Sequence, residues 1–167
     1  MQQPSLHRLA FDGALLVRGF WLYIWEITTK DGGKIHYVGR TGDSSSLHAQ
    51  SPFARISQHL GRNANANALR RNLENHELVA EECRAFRLFA CGPLFPESHG
   101  QTEHTQSRDI VAALEKQLAD SMRTAGYRML NEVKCHRQFD LELWRSIVSV
   151  FTEPFPNLQS GAAREES

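Results

Sequence analysis

Two short apolar runs stand close together near the start of the chain, at 21–28 and 34–41. The first, WLYIWEIT, is rich in aromatic and β-branched residues and is apolar on both faces, which is typical of a central strand. The second, KIHYVGRT, predicts its partner, because the intervening KDGG is a turn signal for an antiparallel hairpin. Alternation along a strand places Tyr23 on one face of the first strand, and Tyr37 together with Gly39 on one face of the second.

Two short helices are predicted after a polar, serine-rich loop at 42–50. Ser51 followed by proline is a typical helix start. From there to residue 60, apolar side chains recur at helical spacing and predict a buried stripe of Phe53, Ile56 and Leu60. A second helix is predicted over 67–77, with Leu69 and Leu73 facing inward and two arginines facing outward.

The second half of the chain predicts one strand and one long helix. The strand covers 82–91 and ends at Gly92-Pro93, and the polar segment 97–106 is expected to be a mobile loop. The long helix covers 107–125. Its apolar stripe comprises five residues: Ile110, Val111, Leu114, Leu118 and Met122. Glu115 falls at the margin of this stripe, near the edge of the core, where a cleft could lie.

A last amphipathic helix begins after Asp140, with Leu141, Trp144, Ile147, Val148 and Phe151 expected to face inward. The chain then divides into an N-terminal extension (1–20), a main α+β domain (21–135), a C-terminal helix packed on that domain (136–156) and a disordered tail (157–167). Alternatively, this helix forms a dimer face.

Composition narrows the class of protein. The 167 residues include 19 basic and 19 acidic side chains, so the net charge is zero and bulk electrostatic coating of nucleic acid is disfavoured. No apolar run approaches the roughly 20 residues of a membrane span, and no signal peptide is recognisable. Three cysteines without a C-x-x-C pair favour a reducing, cytoplasmic location.

Candidate chemistry is gathered in fewer than forty residues. Tyr23 and Tyr37 lie on the two strands, while Arg55 and His59 are one turn apart on a helix and share a face. Phenols, a guanidinium and an imidazole together suggest chemistry on a phosphate. Taken singly, each has an ordinary alternative, since buried tyrosines usually belong to the core and such an arginine and histidine usually lie on a solvated helix face.

The order of these residues resembles the GIY-YIG nuclease family. The likeness runs from about Trp21 to Asn131 and includes Leu22-Tyr23, then Tyr37-Val38-Gly39-x-Thr41, then Arg55-x-x-x-His59, then Glu115 and Asn131. Tyr37-Val38-Gly39 matches the second family element well. The first element departs from the family, because Trp21 stands where the family has glycine.

This resemblance implies a three-stranded antiparallel sheet flanked by helices and a metal-dependent endonuclease acting on DNA. It implies Tyr23 as the general base for the attacking water, with Tyr37 sharing that role or positioning the water. Glu115 would hold Mg²⁺, with Mn²⁺ as a substitute, and Arg55 would bind phosphate oxygens. His59 would relay a proton or bind phosphate, and Asn131 would orient the site.

Substrate contact is predicted for the remaining motif residues and for a rim of arginines. These residues are Gly39, Arg40, Thr41, Arg62, Arg70 and Arg71. The alternative for these arginines is that they are ordinary surface charges. The target DNA is not predictable, and specificity would come from the insertions at 42–50 and 92–106, from a homodimer or from a partner protein. Two other functional classes compete: a catalytically silent nucleic-acid-binding or protein-interaction module, and a purely structural domain.

Overall fold

The computed structural model describes residues 4–44, 46–62 and 68–158, and it confirms the predicted α+β class. Three strands, β1 (Phe20–Thr28), β2 (Lys34–Arg40) and β3 (Ala85–Phe95), form one antiparallel sheet in the order β2-β1-β3. Its helices are α1 (Pro52–Leu60), α2 (Ala68–Asn75), α3 (Gln101–Thr124) and α4 (Leu141–Phe151). None of these described helices is long and apolar enough to cross a membrane.

The predicted hairpin is confirmed, and β1 is the central strand. Its residues from Phe20 to Ile27 are buried on both faces of the sheet, as the doubly apolar pattern indicated. In the hairpin register Tyr23 pairs with Gly39, and Trp25 pairs with Tyr37. The two faces of the sheet therefore carry two separate cores.

The larger core contains Leu22, Ile24 and Val38 on the sheet, and helices α3 and α4 cover it. Buried side chains of the two helices fill this layer: Val111, Leu114, Leu118, Met122, Trp144, Ile147 and Phe151. The packed part of the chain extends to Leu158, which is 1% exposed, two residues into the predicted tail. Residues 159–167 of that tail lie outside the described residues.

The second core lies on the opposite face, where Tyr23, Trp25 and Tyr37 meet the buried Leu69 and Leu73 of α2. Ile56 and Leu60 of α1 pack against this core, but they are only half-buried. Beyond the first turn of α1, the buried residue is His59. The predicted apolar stripe does not include His59, so it is wrong about which side chain of the helix is most buried. The face that the ordinary alternative places in solvent is turned toward the sheet.

Two predicted boundaries and two predicted side-chain positions differ from the structure. β3 continues through Gly92-Pro93 to Phe95. Proline has no backbone N–H to donate, and β3 tolerates it because it is an edge strand with no further neighbour to bond. Helix α3 begins at Gln101, six residues earlier than predicted, and its polar first turns bury His104 and Ser107. Two residues predicted to face inward are exposed, Ile110 by 37% and Leu141 by 52%.

Candidate active site

A polar cleft of about 370 Å³ opens between the hairpin, α1, α2 and α3. The structure brings most of the predicted site residues to this one cleft. Those lining it are Tyr23, Tyr37, Gly39, Arg40, Arg55, His59, Arg71 and Glu115. They come from five separate elements and span more than ninety positions of sequence.

Tyr23 and His59 form a buried hydrogen-bonded pair. The Tyr23 Oη atom lies 2.6 Å from Nε2 of His59 and 3.3 Å from the carbonyl oxygen of Arg40. Burial, together with the nearby Arg55 charge, lowers the pKa of His59 to about 4, so this imidazole is neutral at neutral pH. A neutral ring that accepts the phenol proton at Nε2 carries its own proton on Nδ1.

This environment favours the protonated form of both tyrosine hydroxyls. Burial, followed by the proximity of Tyr37, raises the pKa of Tyr23 well above its ordinary value. Burial and the Glu115 carboxylate raise the pKa of Tyr37 to about 12. Neither phenol is therefore a ready base in the free protein, and added positive charge in the cleft would be needed to lower its pKa.

Gly39 is required because the Tyr23 ring lies directly against β2. A Cβ atom built on Gly39 would come within 2.5–2.7 Å of two ring carbons and the hydroxyl oxygen of Tyr23, closer than van der Waals contact allows. The glycine thus lets the tyrosine on the central strand lie across its neighbour and reach His59.

Two ion pairs hold the charged groups of the cleft. The Arg40 Nε atom donates to Glu115 Oε2 at 2.8 Å, and both side chains are about 15% exposed. Burial raises the pKa of Glu115, while Arg40 and then Arg55 oppose that rise. Arg55 forms an ion pair with Asp43 through Nη2 and donates from Nη1 to the Gln58 side-chain oxygen at 3.1 Å.

Three buried donors in the cleft have no hydrogen-bond partner among the described residues. They are Arg40 Nη1, Arg55 Nε and His59 Nδ1. An unpaired buried donor is costly, so a concentration of three favours a ligand rich in acceptor oxygens. Three arginines and two carboxylates line the cleft, which leaves one net positive charge beside neutral His59. A phosphate suits both properties.

Glu115 is the more deeply buried of the two carboxylates that line the cleft. The part of the chain that the structure describes contains no group of three or more histidine, cysteine or acidic side chains arranged for a metal. A hard ion such as Mg²⁺ can be held by one or two carboxylates, with water and substrate oxygens as its remaining ligands. Glu115 is thus the carboxylate available for such an ion, with Tyr23 and Tyr37 lining the same cleft.

Several predicted residues lie outside the cleft. Asn131 binds the backbone of Val38, accepting from its N–H at 3.1 Å and donating to its carbonyl at 2.7 Å. Thr41 is fully buried, where its hydroxyl accepts from the Trp21 N–H and donates to the Gly19 carbonyl. These contacts stabilise the hairpin, and neither side chain lines the cleft.

Two rim arginines are also engaged elsewhere. Arg70 donates to Glu81 and to the carbonyl of Leu60, and Arg62 lies 3.5 Å from the same glutamate. Arg71, in contrast, lines the cleft and is exposed. The predicted rim of arginines is thus reduced at the cleft itself to Arg40 and Arg71.

Sequence reasoning did not identify Asp43 and Gln58 as cleft residues. Gln58 follows Arg55 by three positions, and this helical spacing was a usable signal. Asp43 lies in an irregular loop, where no periodicity indicates which way a side chain points. Both side chains contact Arg55, so they matter for where that guanidinium lies.

The stability of the protein is expected to depend on pH through His59. An unfolded histidine binds a proton near pH 6.5, whereas buried His59 resists protonation down to about pH 4. Stability therefore falls as the pH falls through this window, by about 3 kcal/mol for this group. Urea unfolding at pH 7.5 and pH 4.5 should show a smaller loss for His59→Gln than for the parent.

His76→Gln supplies the control for this measurement, because it makes the same substitution at an exposed position and leaves the Tyr23–His59 pair in place. Equal losses in the parent and His59→Gln would contradict the buried, neutral state of His59.

Comparisons of the chain with models of protein families, with curated proteins and with solved structures find no match. The resemblance to the GIY-YIG family therefore stays a prediction. It rests on the ordered set of residues in the sequence, most of which share the cleft described above.

Proposed function

We propose that this protein is a Mg²⁺-dependent endonuclease that hydrolyses phosphodiester bonds of DNA, with a GIY-YIG-like active site. The observation that carries the proposal is the meeting of Tyr23, Tyr37, Arg55, His59 and Glu115 at one cleft. The family resemblance implies such a convergence. Unpaired donors on Arg40, Arg55 and His59 add the means to hold a phosphate.

The positive groups would bind the scissile phosphate and stabilise the charge that develops on it. The Nε atom of Arg55 and Nη1 of Arg40 are buried and have no described partner, so each can donate to a phosphate oxygen without breaking an existing bond. Donors already held in place need little reorganisation when negative charge develops in the transition state. These two arginines are therefore assigned to the phosphate.

Tyr23 would take the proton from the attacking water and pass its own proton to His59. The 2.6 Å contact between Oη and Nε2 supplies the path. A bound phosphate beside His59 would raise the pKa of this histidine, which makes it a better acceptor during the reaction. The Nδ1–H of the same ring would then be free to donate to the phosphate.

Glu115 would hold the metal ion, and Arg40 keeps its carboxylate in place through the bond to Oε2. When bound, Mg²⁺ supplies positive charge that stabilises phosphate oxygens and lowers the pKa of nearby water. That positive charge would also lower the raised pKa of the two tyrosines. Mn²⁺ is expected to substitute, since it prefers similar oxygen ligands.

We further infer a cytoplasmic location. The three cysteines, Cys83, Cys91 and Cys135, are free, and thiols stay reduced in that compartment. Target specificity is assigned to the loop segments around the cleft, to a homodimer or to a partner protein.

Incubation of the purified protein with supercoiled plasmid tests the proposed activity. The parent should nick or linearise the plasmid with Mg²⁺ and leave it intact with EDTA. Arg55→Ala should reduce the rate at least about 100-fold, because it removes a preorganised phosphate donor. Arg137→Ala is the matched control, since this exposed arginine pairs with Asp109 away from the cleft.

Intact plasmid, branched DNA and single-stranded DNA after incubation with the parent and Mg²⁺ would overturn the enzyme assignment. DNA binding by that inactive parent, measured in EDTA by fluorescence anisotropy, would then favour the silent binding module.

A further inference from the structure

The guanidinium of Arg55 is held from two sides by residues outside the family pattern. Asp43 forms an ion pair with Nη2, and the side-chain oxygen of Gln58 accepts a hydrogen bond from Nη1. Nε is left as the buried donor without a described partner. Two of the three nitrogens are thus fixed by the protein, while the third remains for a ligand in the cleft.

Asp43 is itself firmly placed, although it lies in a loop and its side chain is 46% exposed. On its N-terminal side, Gly42 adopts a φ of +72°, and a Cβ atom there would collide with the ring of Phe20. On its C-terminal side, fully buried His104 donates from Nε2 to the Ser44 carbonyl at 2.9 Å. Anchors on both sides thus define the direction of the Asp43 backbone.

We propose that Asp43 is a positioning residue that, with Gln58, aims the Arg55 guanidinium at the scissile phosphate. This inference rests on the proposed nuclease function and deepens its account of the site. A guanidinium forms directional hydrogen bonds through a planar fork, so its usefulness depends on its orientation. Displacement of a catalytic group by about 1 Å can cost on the order of 100-fold in rate.

The sign of the effect separates positioning from simple electrostatics. Asp43 is negative, so its removal should by charge alone strengthen DNA binding and raise the rate at limiting DNA. A positioning role predicts the opposite for the chemical step, because a loosened Arg55 stabilises the transition state less well. Asn at position 43 keeps an acceptor oxygen and removes the charge, whereas Ala removes both.

Single-turnover plasmid cleavage with saturating protein and Mg²⁺ measures the chemical step, and anisotropy with a short labelled duplex in Ca²⁺ measures binding. Asp43→Ala should lower the cleavage rate about tenfold, with the dissociation constant unchanged within about threefold. Asp43→Asn should stay within about threefold of the parent rate. Asp31→Ala, which removes an exposed acid in the hairpin turn, should match the parent in both assays.

An Arg55→Lys background tests whether the effect passes through Arg55. A lysine cannot reproduce the fork, so adding Asp43→Ala to Arg55→Lys should change the rate by less than about twofold. Asp43→Ala that cuts as fast as the parent, or loses tenfold in both backgrounds, overturns the positioning role and leaves the nuclease proposal intact. A parent that cuts no DNA overturns both.

Discussion

Glu115→Gln is expected to abolish Mg²⁺-dependent cleavage, with a loss of at least about 1,000-fold. Glutamine keeps an oxygen that can accept from the Arg40 Nε atom, so the local hydrogen bond and the packing survive. The negative charge disappears, and with it the proposed protein anchor for a hard divalent ion. Plasmid cleavage measures the loss, and titration with Mn²⁺ followed by water proton relaxation measures metal binding directly.

Glu103→Gln is the matched control for this prediction, because it makes the same chemical change at an exposed position on the same helix. It should cut and bind Mn²⁺ as the parent does. Cleavage by Glu115→Gln within tenfold of the parent would remove Glu115 from the metal site. Unchanged Mn²⁺ binding with lost cleavage would instead keep Glu115 in the reaction and place the metal elsewhere.

Tyr23→Phe is expected to reduce cleavage by about 100- to 10,000-fold, the range of general acid–base catalysis. The substitution removes only the hydroxyl that contacts His59, and the aromatic ring against Gly39 is retained. His59 loses its buried donor, so stability should fall by about 1–2 kcal/mol. Single-turnover rates between pH 6 and pH 10 should rise with pH in the parent and be nearly flat in the variant.

Two other tyrosine variants complete this test. Tyr127→Phe should behave as the parent, since Tyr127 packs beside His36 and Phe155 and does not line the cleft. Tyr37→Phe distinguishes the two phenols. If it loses more activity than Tyr23→Phe and also flattens the pH profile, Tyr37 is the base and Tyr23 has the positioning role.

The sheet was largely predictable because its signals are local. A turn signal joins two apolar runs, and alternation along them assigned Tyr23 and Tyr37 to strand faces before any tertiary contact was known. Helix α4 was predicted from Asp140 for a similar reason, since its side chain accepts from the Leu143 N–H at the helix start.

The failures occur where burial depends on partners distant in sequence. His104 is polar, yet it is fully buried against Phe20 and bonded to Ser44, so the first turns of α3 resembled a loop. His59 is buried because Tyr23 offers it a hydrogen bond, and helical periodicity alone predicts apolar residues at such positions. Single-sequence patterns contain no record of these distant partners.

The site was predicted only as far as the family-like order of residues reached. That order assigned the cleft residues on β1, β2, α1 and α3. It also assigned Thr41 and Asn131, which instead support the hairpin backbone. Asp43 belongs to no recognised spacing and was found only through its contact with Arg55.

The contact between Asn131 and Val38 has a consequence for the choice of amino acid at position 131. The side-chain amide bonds both the N–H and the carbonyl of the same β2 residue, as the backbone N–H and carbonyl of a paired residue in a fourth strand would. Aspartate would set a second acceptor against the Val38 carbonyl, and leucine would leave both groups unpaired. Backbone hydrogen bonds from His36 to Arg128 and from Leu130 to His36 already cover this edge of β2. Asparagine extends that cover to Val38, on the strand that carries Tyr37.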